Sequence, residues 1–419
     1  MAAKKAGKNT IPFTGPSVTM KAIIANGFGE PDEVLSMSEI PRPVRTKGSG
    51  EMLVRVLACS FTPGDWRMLS GQARLLKKPE GWPYVPCLDI AGIVEGVDED
   101  ENDQVLNFNS DVKRSDTKNA AAATPTTSER FMPRFKVGDE IIGTWDGMFG
   151  AGGLAEYALV KTSLATLKPK NISFCEGAAL ANSPNHALKV IELANVCETD
   201  RVLVLGGSGG VGLNVIQMAR SRASFIAATS SDTSMLHSLG VDRAIDYRSE
   251  HWWEVPEFLH EPFDVIIDCA EGRVAWGRAC QSRVLKRGGG RALLPKKCDG
   301  ASKTQPLQGG RFIAVVPNSW LIEMQHWWQV PGWFLPVVGR RLRNRLNVLG
   351  APPRYEVYMD QPGGRDLAEV AALAAAGRLR PVLEPGSPRP FTAEGARGAF
   401  RLLASRRAKG KIVVQVAER

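Results

Sequence analysis

The chain has 419 residues, a formal net charge of +9, 43% hydrophobic residues and 23% charged residues. This length exceeds that of one typical domain and predicts two domains, each large enough for its own core. The longest apolar stretch, residues 330–339, contains two prolines and is far shorter than the ~20 residues of a membrane-spanning helix, so we predict no membrane span. The basic runs at 340–345 and 406–411 lack nucleic-acid motifs, and we expect no nucleic-acid partner.

Seven scattered cysteines bear on the redox compartment. No two of them have the C-x-x-C spacing, so the sequence predicts neither a disulfide framework nor a zinc cluster. Reduced thiols are typical of a cytosol-like compartment. Residues 1–18 contain lysines without the apolar core of a secretory signal, and they predict a flexible leader. We expect a cytoplasmic location, with an organelle matrix as the alternative.

From residue 19 to residue 165 the pattern is rich in strands. The runs 21–24, 52–58 and 91–97 are typical of strands separated by turns that contain Gly and Pro. The composition changes sharply at 98–134, where an acidic run and an alanine run predict a disordered insertion. The run 135–143 then resumes the sheet.

From residue 166 to residue 345 strand and helix patterns alternate. This alternation predicts an α/β protein with a doubly wound parallel sheet. A loop insertion is predicted at 290–308. The last part of the chain predicts a helix at 367–376, a strand at 379–383, a helix at 393–405 and a strand at 411–416.

A glycine-dense turn lies between an apolar run and a helical pattern at 201–220. Gly207, Gly209 and Gly212 fit the G-x-G-x-x-G pattern, in which the glycines allow a tight turn, the approach of a pyrophosphate and close packing of helix on strand. The helix that follows offers its N–H groups and positive dipole end to phosphates. The strand–turn–helix order is the context that a dinucleotide site requires. We predict cofactor contacts at Gly207, Ser208, Gly209, Gly210, Val211 and Gly212.

The end of the next predicted strand bears on which dinucleotide is bound. An NAD site usually carries Asp or Glu there, whereas this chain has Thr229, Ser230 and Ser231. Small hydroxyl residues leave room for a 2′-phosphate, so NADPH is predicted as the cofactor. Tyr247 and Arg248 are predicted to reach the same phosphate, the alternative being that they only close a strand. Asp232 is discordant, because a carboxylate near a phosphate is unfavourable unless it points away.

Several motifs in this order resemble the medium-chain dehydrogenase/reductase superfamily. They are Pro63-Gly64-Asp65, Asp89-Ile90-Ala91-Gly92, Lys136-Val137-Gly138-Asp139, Gly153-Leu154-Ala155-Glu156-Tyr157, the glycine turn and Ala408-Lys409-Gly410-Lys411. Within it the chain is similar to the zinc-independent quinone-oxidoreductase branch, and most similar to the reticulon-interacting mitochondrial oxidoreductases. The resemblance implies a GroES-like catalytic domain at 19–165, a Rossmann NADP-binding domain at 166–345 and a return to the catalytic domain at 346–419.

The resemblance also bears on zinc. Where zinc alcohol dehydrogenases of the superfamily place a Cys with His and Asp nearby, this chain has Cys59-Ser60-Phe61-Thr62, and Cys87-Leu88-Asp89 replaces their Gly-His-Glu. Because catalytic zinc needs three protein ligands and an open position, we predict no metal. Activated acceptors are then favoured, since they take hydride without a Lewis acid.

Thr62, Asp65 and His186 are the candidate catalytic residues. Thr62 and Asp65 match family positions that line the cleft near the nicotinamide, although Asp65 could instead be an acceptor for backbone N–H groups. His186 stands where the family has threonine beside the nicotinamide, and it could donate a proton to an oxyanion. The alternative is a histidine satisfied by backbone carbonyls at a helix start.

The sequence therefore predicts an NADPH-dependent, zinc-free oxidoreductase that transfers hydride to a small-molecule quinone or α,β-unsaturated carbonyl. The alternative is a catalytically idle, nucleotide-binding member that acts as a sensor or binds a partner. A homodimer is the oligomeric state that we consider for this chain. The segment 325–358 is rich in Trp and Arg and could line the cleft, form an interface or contact a membrane surface.

Overall fold

The structure is a computed structural model that describes residues 18–75, 78–79, 81–87, 89–97, 134–144, 152–287, 309–319, 324–346, 353–358 and 364–419. Residues 1–17 of the predicted leader, residues 98–133 of the first predicted insertion and the predicted loop at 290–308 lie outside these residues.

The first part of the chain consists mainly of strands, as predicted. Its elements are β1 (Thr19–Ala25), α1 (Pro31–Val34), β2 (Leu35–Pro41), β3 (Glu51–Ser60), α2 (Pro63–Leu69), β4 (Asp89–Gly96), β5 (Glu140–Gly143), β6 (Tyr157–Lys161), a 3₁₀ turn at Thr162–Leu164 and β7 (Ala165–Leu167).

Strands and helices then alternate. The elements are α3 (Phe174–Leu180), α4 (Ser183–Ala194), β8 (Arg201–Leu205), α5 (Gly210–Ala219), β9 (Phe225–Ser230), α6 (Thr233–Ser238), β10 (Arg243–Asp246), α7 (Pro256–His260), β11 (Val265–Asp268), α8 (Arg273–Ser282), β12 (Arg311–Ala314), α9 (Gln329–Leu346) and β13 (Arg354–Val357). The chain ends with α10 (Gly364–Ala375), β14 (Arg389–Pro390), α11 (Ala393–Ser405) and β15 (Val413–Gln415).

Each of the two domains is built around one of the larger sheets. In the described chain, β8–β13 form a six-stranded, fully parallel sheet in the order β10-β9-β8-β11-β12-β13. This order reverses between β8 and β11, and ligands of doubly wound sheets bind outside the carboxyl ends of the strands at such a point. The predicted doubly wound α/β sheet is confirmed.

The other domain is a seven-stranded sheet with strands from both chain ends. Its order is β14-β15-β3-β4-β5-β7, with β6 paired to the other part of β3. Alternate residues of β3, among them Met52, Val54 and Val56, are buried in its core. α11 closes this core, and the ring of its Phe400 meets Phe61 edge-on at 5.1 Å. β1 and β2 form a separate antiparallel pair.

The predicted domain boundaries need correction at two places. β7 and α3 belong to the first domain, because β7 pairs with β5 and Ala178 of α3 packs with Ala58 and Ala91 of its sheet. At the other end, β13 is the sixth strand of the parallel sheet, whereas α10 packs against β7 and the 3₁₀ turn of the first domain as well as against α4. The elements that pack on the first sheet therefore extend to residue 180, and the strands of the parallel sheet extend to residue 357, past the predicted boundaries at 165 and 345.

The predicted strand at 379–383 is also wrong. Leu379 is buried in the core of the parallel sheet, and Leu383 makes only one isolated bridge, to Lys411. Residues 379–383 instead connect the two domains. A short apolar run of this kind has the same sequence pattern as a buried strand, so the pattern alone does not distinguish the two.

Candidate active site

The glycine turn follows β8 at the point where the strand order reverses. Gly206 has a φ of +79°, and a Cβ there would lie 2.8 Å from the side chain of Ala270. The left-handed residue of the tight turn is therefore Gly206, one position before the glycine of the pattern. A Cβ on Gly212 would lie 2.2 Å from the carbonyl oxygen of Gly206. This agrees with the role of the third glycine, close packing of helix on strand.

The amino terminus of α5 has the properties of an anion site. Gly209 is its N-cap residue and supplies no side-chain cap, so the first N–H groups of α5 and its dipole are available to a phosphate. A Cβ on Gly210 would lie 2.9 Å from Oγ of Ser183. Ser183 at the start of α4 and the C-terminal segment around Lys411 thus flank the turn. These residues fit a dinucleotide pyrophosphate.

The hydroxyl residues at the end of β9 have different roles. Thr229 is buried, and its Oγ1 accepts a hydrogen bond from the N–H of Gly206 at 2.9 Å. Ser230 is buried as well, and its Oγ accepts from the N–H of Asp232 at 2.9 Å. Thr229 therefore holds the glycine turn, whereas Ser230 holds the turn between β9 and α6. Ser231 is half-buried and is the more accessible of the three.

Tyr247 and Arg248 follow β10, which lies beside β9. Arg248 forms an ion pair with Asp246 at 2.6 Å and donates to the carbonyl oxygen of Ser231 at 3.1 Å. Tyr247 is largely exposed. The fold thus brings Arg248 to the end of β9, where its guanidinium already pairs with the carboxylate of Asp246.

Asp232 does not point into open space. Its carboxylate caps α6 by accepting from the N–H of Met235 at 3.0 Å, and it pairs with Nζ of Lys409 at 3.1 Å. The helix-cap hydrogen bond, together with Ser234 and Lys409, lowers the pKa of Asp232 to about 2. This pair lines a cavity of about 330 Å³ whose other walls are Ser234, Met235, Ser238, Leu383 and Pro385. Lys409 neutralises the carboxylate that was discordant in the sequence.

Thr62 and Asp65 come together at the start of α2. The carboxylate of Asp65 accepts from the backbone N–H of Thr62 at 2.6 Å and from its hydroxyl at 3.0 Å, which is the geometry of a capping box. Asp65 thus makes the backbone contact that the second of its two considered roles requires, and it also contacts the hydroxyl of Thr62. Burial raises the pKa of Asp65 to about 7, although the hydrogen bonds from Thr62 act to lower it.

A buried ion pair lies next to the glycine turn. Nζ of Lys411 contacts the carboxylate of Asp89 at 3.2 Å and donates to the carbonyl oxygen of Phe61 at 2.9 Å. Asp89 also accepts from the hydroxyls of Ser60 and Thr144 at 3.4 and 3.1 Å. Burial raises the pKa of Asp89, whereas Lys411 opposes that shift.

The residue before Lys411 ties this ion pair to the nucleotide loop. The N–H of Gly410 donates to the carbonyl oxygen of Ser208 at 2.9 Å. Sequence reasoning assigned no site role to Asp89, Lys409 or Lys411. The signal was present, since the lysines stand in a motif that carried the resemblance, but their partners are distant in the chain.

His186 lies in the first turn of α4, one turn after Ser183. Its Nδ1 is 2.7 Å from the hydroxyl of Tyr358, and the two rings meet edge-on. This partner follows β13 and is a side chain, whereas the alternative expectation was backbone carbonyls. The histidine is thus held at the edge of the parallel sheet, on the helix that flanks the glycine turn.

Two family models match the chain. The model for an alcohol dehydrogenase GroES-like domain matches residues 48–170, and the model for a zinc-binding dehydrogenase matches residues 239–414. Together they span most of the chain and both domains. The chain belongs to the medium-chain dehydrogenase/reductase superfamily.

Several members of the superfamily with named activities are similar to this chain. The 2-methylene-furan-3-one reductase of Solanum lycopersicum is 29% identical over 405 residues, which are 94% of this chain and 79% of that protein. The chloroplastic NADPH-dependent alkenal/one oxidoreductase of Arabidopsis thaliana is 28% identical over 399 residues, again 94% and 79%. The chloroplastic quinone-oxidoreductase QR1 of Triphysaria versicolor is 27% identical over 259 residues, 60% of this chain and 68% of that protein.

The fold of the superfamily is also seen in solved structures. The quinone oxidoreductase from Coxiella burnetii superposes with a TM-score of 0.64 at 22% identity and covers 96% of this chain and 100% of that chain. As a member of the superfamily with such relatives, the chain is an oxidoreductase that uses a nicotinamide cofactor. The predicted oxidoreductase is confirmed. The zinc-independent branch fits these relatives, and membership of the reticulon-interacting subgroup stays a prediction.

Proposed function

We propose that this oxidoreductase uses NADPH, without zinc, to reduce a quinone or an α,β-unsaturated carbonyl. The observation that carries the proposal is the contact between Lys411 and Asp89. Asp89 stands in the segment that replaces the Gly-His-Glu of the zinc enzymes. Its carboxylate is buried and already contacts the ammonium group of Lys411 and the hydroxyls of Ser60 and Thr144. An ammonium group bound to this carboxylate opposes its use as a ligand for a cation.

The thiol in the same segment supports a site without zinc. Cys87 is buried, and its Sγ donates to the carbonyl oxygen of Ser60 at 2.9 Å. Burial raises its pKa well above the usual range, whereas zinc binds the thiolate. Among the residues that the structure describes, no group of three His, Cys, Asp or Glu side chains could hold a metal.

The acceptor class follows from the chemistry. When bound, the nicotinamide cofactor supplies a hydride. Quinones and α,β-unsaturated carbonyls accept it readily because the negative charge spreads onto oxygen, so the protein only has to place the acceptor and donate to that oxygen. The names of the relatives, an enone-type reductase and a quinone oxidoreductase among them, agree with this class.

Asp65 and Thr62 form a short proton path. When Asp65 is protonated, its proton can be donated to Oγ1 of Thr62, 3.0 Å away. The hydroxyl of Thr62 is then released to donate its own proton to the oxyanion of the reduced acceptor. A pKa of about 7 allows Asp65 to take up and release a proton at neutral pH. We propose His186, held by Tyr358, as the second donor that faces the acceptor.

The preference for NADPH rests on charge at the end of β9. Ser231 is uncharged and half-buried, Arg248 lies against its carbonyl oxygen, and Lys409 neutralises Asp232. A charge-assisted contact with a 2′-phosphate contributes about 1.5–3 kcal/mol, which is a tenfold to more than hundredfold difference in dissociation constant.

Turnover tests the proposal directly. Purified protein should oxidise NADPH in the presence of quinones or enones, and activity should survive exhaustive chelation. Introducing a carboxylate with Ser231→Asp should reverse the cofactor preference, and Ser231→Thr is the matched control. Ser230 is unsuitable because it is buried.

Stoichiometric zinc by elemental analysis, lost together with activity, would overturn the zinc-free proposal. Nucleotide binding without turnover on either acceptor class would overturn the activity.

The remaining predictions concern the surroundings of the enzyme. None of the helices in the described ranges is long and apolar enough to cross a bilayer. The absence of a nucleic-acid partner, the homodimer and the cytoplasmic or organellar location stay predictions.

A further inference from the structure

The side chains of His186 and Tyr358 meet where α4 begins, beside the end of β13. Nδ1 of His186 is 2.7 Å from the hydroxyl of Tyr358, and the two rings meet edge-on with their centroids 5.5 Å apart. His186 stands where the superfamily has threonine. The contact therefore depends on a residue at which this chain departs from the superfamily pattern.

Both partners stand on rigid parts of the fold. Tyr358 directly follows β13, and its backbone N–H donates to the carbonyl oxygen of Ala314, the last residue of β12, at 3.0 Å. His186 lies in the first turn of α4, where the buried Asn185 donates from Nδ2 to the carbonyl oxygen of Ala181 at 2.9 Å. A strand end and a helix start thus set the contact between the two rings.

The other end of α4 is attached to the same sheet. Arg311 of β12 donates from Nη1 to the carbonyl oxygens of Ala194 and Asn195 at 3.0 and 2.8 Å. Its guanidinium also pairs with Asp200 at 2.6 Å, and both side chains of this ion pair are buried. Because α4 is held at both ends, removing the hydroxyl of Tyr358 should change the hydrogen bonding of His186 without moving the helix.

The pair lies at the edge of the parallel sheet where the nicotinamide is expected. All strands of this sheet are parallel, so β13 ends at the same edge as β8, which leads into the glycine turn. The end of β9 is the proposed site of the 2′-phosphate, on one side of the reversal in strand order. A dinucleotide that crosses this point would place its nicotinamide on the other side, over β11 to β13. Tyr358, the last residue of the segment rich in Trp and Arg, borders that place.

The chemistry of the two groups determines the direction of their hydrogen bond. A phenol hydroxyl is a stronger acid than the N–H of a neutral imidazole, and an imidazole nitrogen is a stronger base than a phenol oxygen. The hydroxyl of Tyr358 is therefore the donor, and Nδ1 of His186 is the acceptor. A neutral imidazole carries one ring proton, so that proton stands on Nε2.

We propose that Tyr358 is a positioning residue, which holds neutral His186 in this tautomer with its Nε2–H as the donor to the oxygen of the acceptor. A neutral imidazole stabilises a developing oxyanion by a hydrogen bond without giving up its proton. The proton itself then comes from Asp65 and Thr62. The role in the reaction rests on the proposed function, whereas the tautomer does not.

Nitrogen NMR of the full-length protein tests the tautomer without any turnover. The chain has five histidines, and the signals of His186 are those that disappear in His186→Gln. At a pH where the ring is neutral, two-bond nitrogen–proton correlations should place the proton of wild-type His186 on Nε2. In Tyr358→Phe the Nδ1 resonance should shift, because Nδ1 loses its hydrogen-bond donor. A proton on Nδ1 in the wild type would overturn the proposal.

Replacements of His186 test which ring nitrogen is used. The side-chain nitrogen of Gln can take the place of Nε2, and that of Asn can take the place of Nδ1. His186→Gln should therefore lower kcat with an enone by only a few-fold. His186→Asn and His186→Ala should lower it by about a hundredfold, the usual effect of removing one oxyanion donor. Equal losses in the Gln and Asn variants would contradict the assignment of Nε2.

Tyr358→Phe tests whether the tyrosine acts through the histidine. It should lower kcat by about tenfold and change KM by less than about twofold, since it disturbs the placement of a donor and not the binding of the acceptor. In His186→Ala the same replacement should have no further effect. Independent, multiplying losses from the two replacements would remove the positioning role.

The control variant is Tyr157→Phe. It removes a hydroxyl from β6 of the first domain and should turn over like the wild type. The two readouts also separate this proposal from the proposed function. If the wild-type protein reduces neither acceptor class, the proposed function fails and the role in the reaction fails with it, while the NMR result still decides the tautomer.

Discussion

Lys409 and Lys411 are two residues apart, yet their ammonium groups lie in different surroundings. Lys409 is partly exposed and pairs at 3.1 Å with Asp232, a surface carboxylate of the nucleotide-binding domain. Lys411 is almost fully buried and pairs at 3.2 Å with Asp89, which has no exposure. Both distances are alike, but the energetic consequences differ, because the cost of an unpaired charge depends on its access to water.

The comparison separates two uses of an ion pair. The pair at Lys411 holds the end of the chain inside the first domain, and Gly410 beside it holds the glycine turn. The pair at Lys409 spans the domains at the edge of the nucleotide site and adjusts charge there. We therefore expect the first pair to govern stability and the second to govern cofactor affinity.

The largest expected effect is that of Lys411→Met. Removing the ammonium leaves the carboxylate of Asp89 buried and uncompensated, which costs about 3–5 kcal/mol of the free energy of unfolding. Urea unfolding at neutral pH measures it. The loss should shrink as the pH falls, because burial raises the pKa of Asp89 and its protonated form needs no partner.

A double variant sharpens this test. Lys411→Met/Asp89→Leu removes both charges, and it should recover at least half of the stability lost by Lys411→Met alone. If the double variant is as unstable as the sum of the single ones, the pair is not the source of the effect.

The second prediction concerns the pH dependence of turnover. If protonated Asp65 supplies the proton, the rate with a fixed enone should fall as pH rises through about 7. One unit above the pKa only about a tenth of the groups stay protonated, so the rate should be about tenfold lower.

The variants of this site distinguish a proton path from a helix cap. Asp65→Asn should remove that limb of the pH profile. Thr62→Ser should retain the profile because it keeps the hydroxyl, whereas Thr62→Val should lose it. A profile that is unchanged in Asp65→Asn would assign Asp65 to capping alone.

A smaller effect is expected at the surface pair. Asp232→Asn removes the carboxylate that engages Lys409, so the ammonium can turn to a 2′-phosphate. NADPH affinity should rise by about three- to tenfold, equivalent to roughly 0.7–1.4 kcal/mol, while NADH affinity stays within about twofold. Fluorescence titration with both nucleotides measures this, and an equal change for both would contradict it.

The smallest effect is that of Lys409→Met on stability. A partly exposed ion pair contributes about 0–1 kcal/mol, so the free energy of unfolding should change by no more than that. A loss as large as that of Lys411→Met would remove the distinction between the two lysines.

Local patterns in the sequence predicted much of the fold. The strand at 201–205, the glycine turn and the helix after it are determined by residues that are close in sequence. A glycine-rich turn can be recognised without knowing what packs against it. The helix predicted at 393–405 has these same bounds in the structure. β13 was assigned to the wrong domain, because four residues carry no signal that distinguishes one sheet from the other.

The sequence by itself determined the glycine cradle, the lack of an acidic residue at the end of β9 and the two-domain plan, since each follows from residues close together in the chain. Only the tertiary structure decided the partners. Lys411 contacts Asp89, which is 322 positions away in sequence, and Lys409 contacts Asp232, which is 177 positions away. No local sequence pattern predicts such contacts. Burial then set the pKa of Asp65, because the desolvation of a charge depends on the whole surrounding fold and not on the identity of its neighbours in sequence.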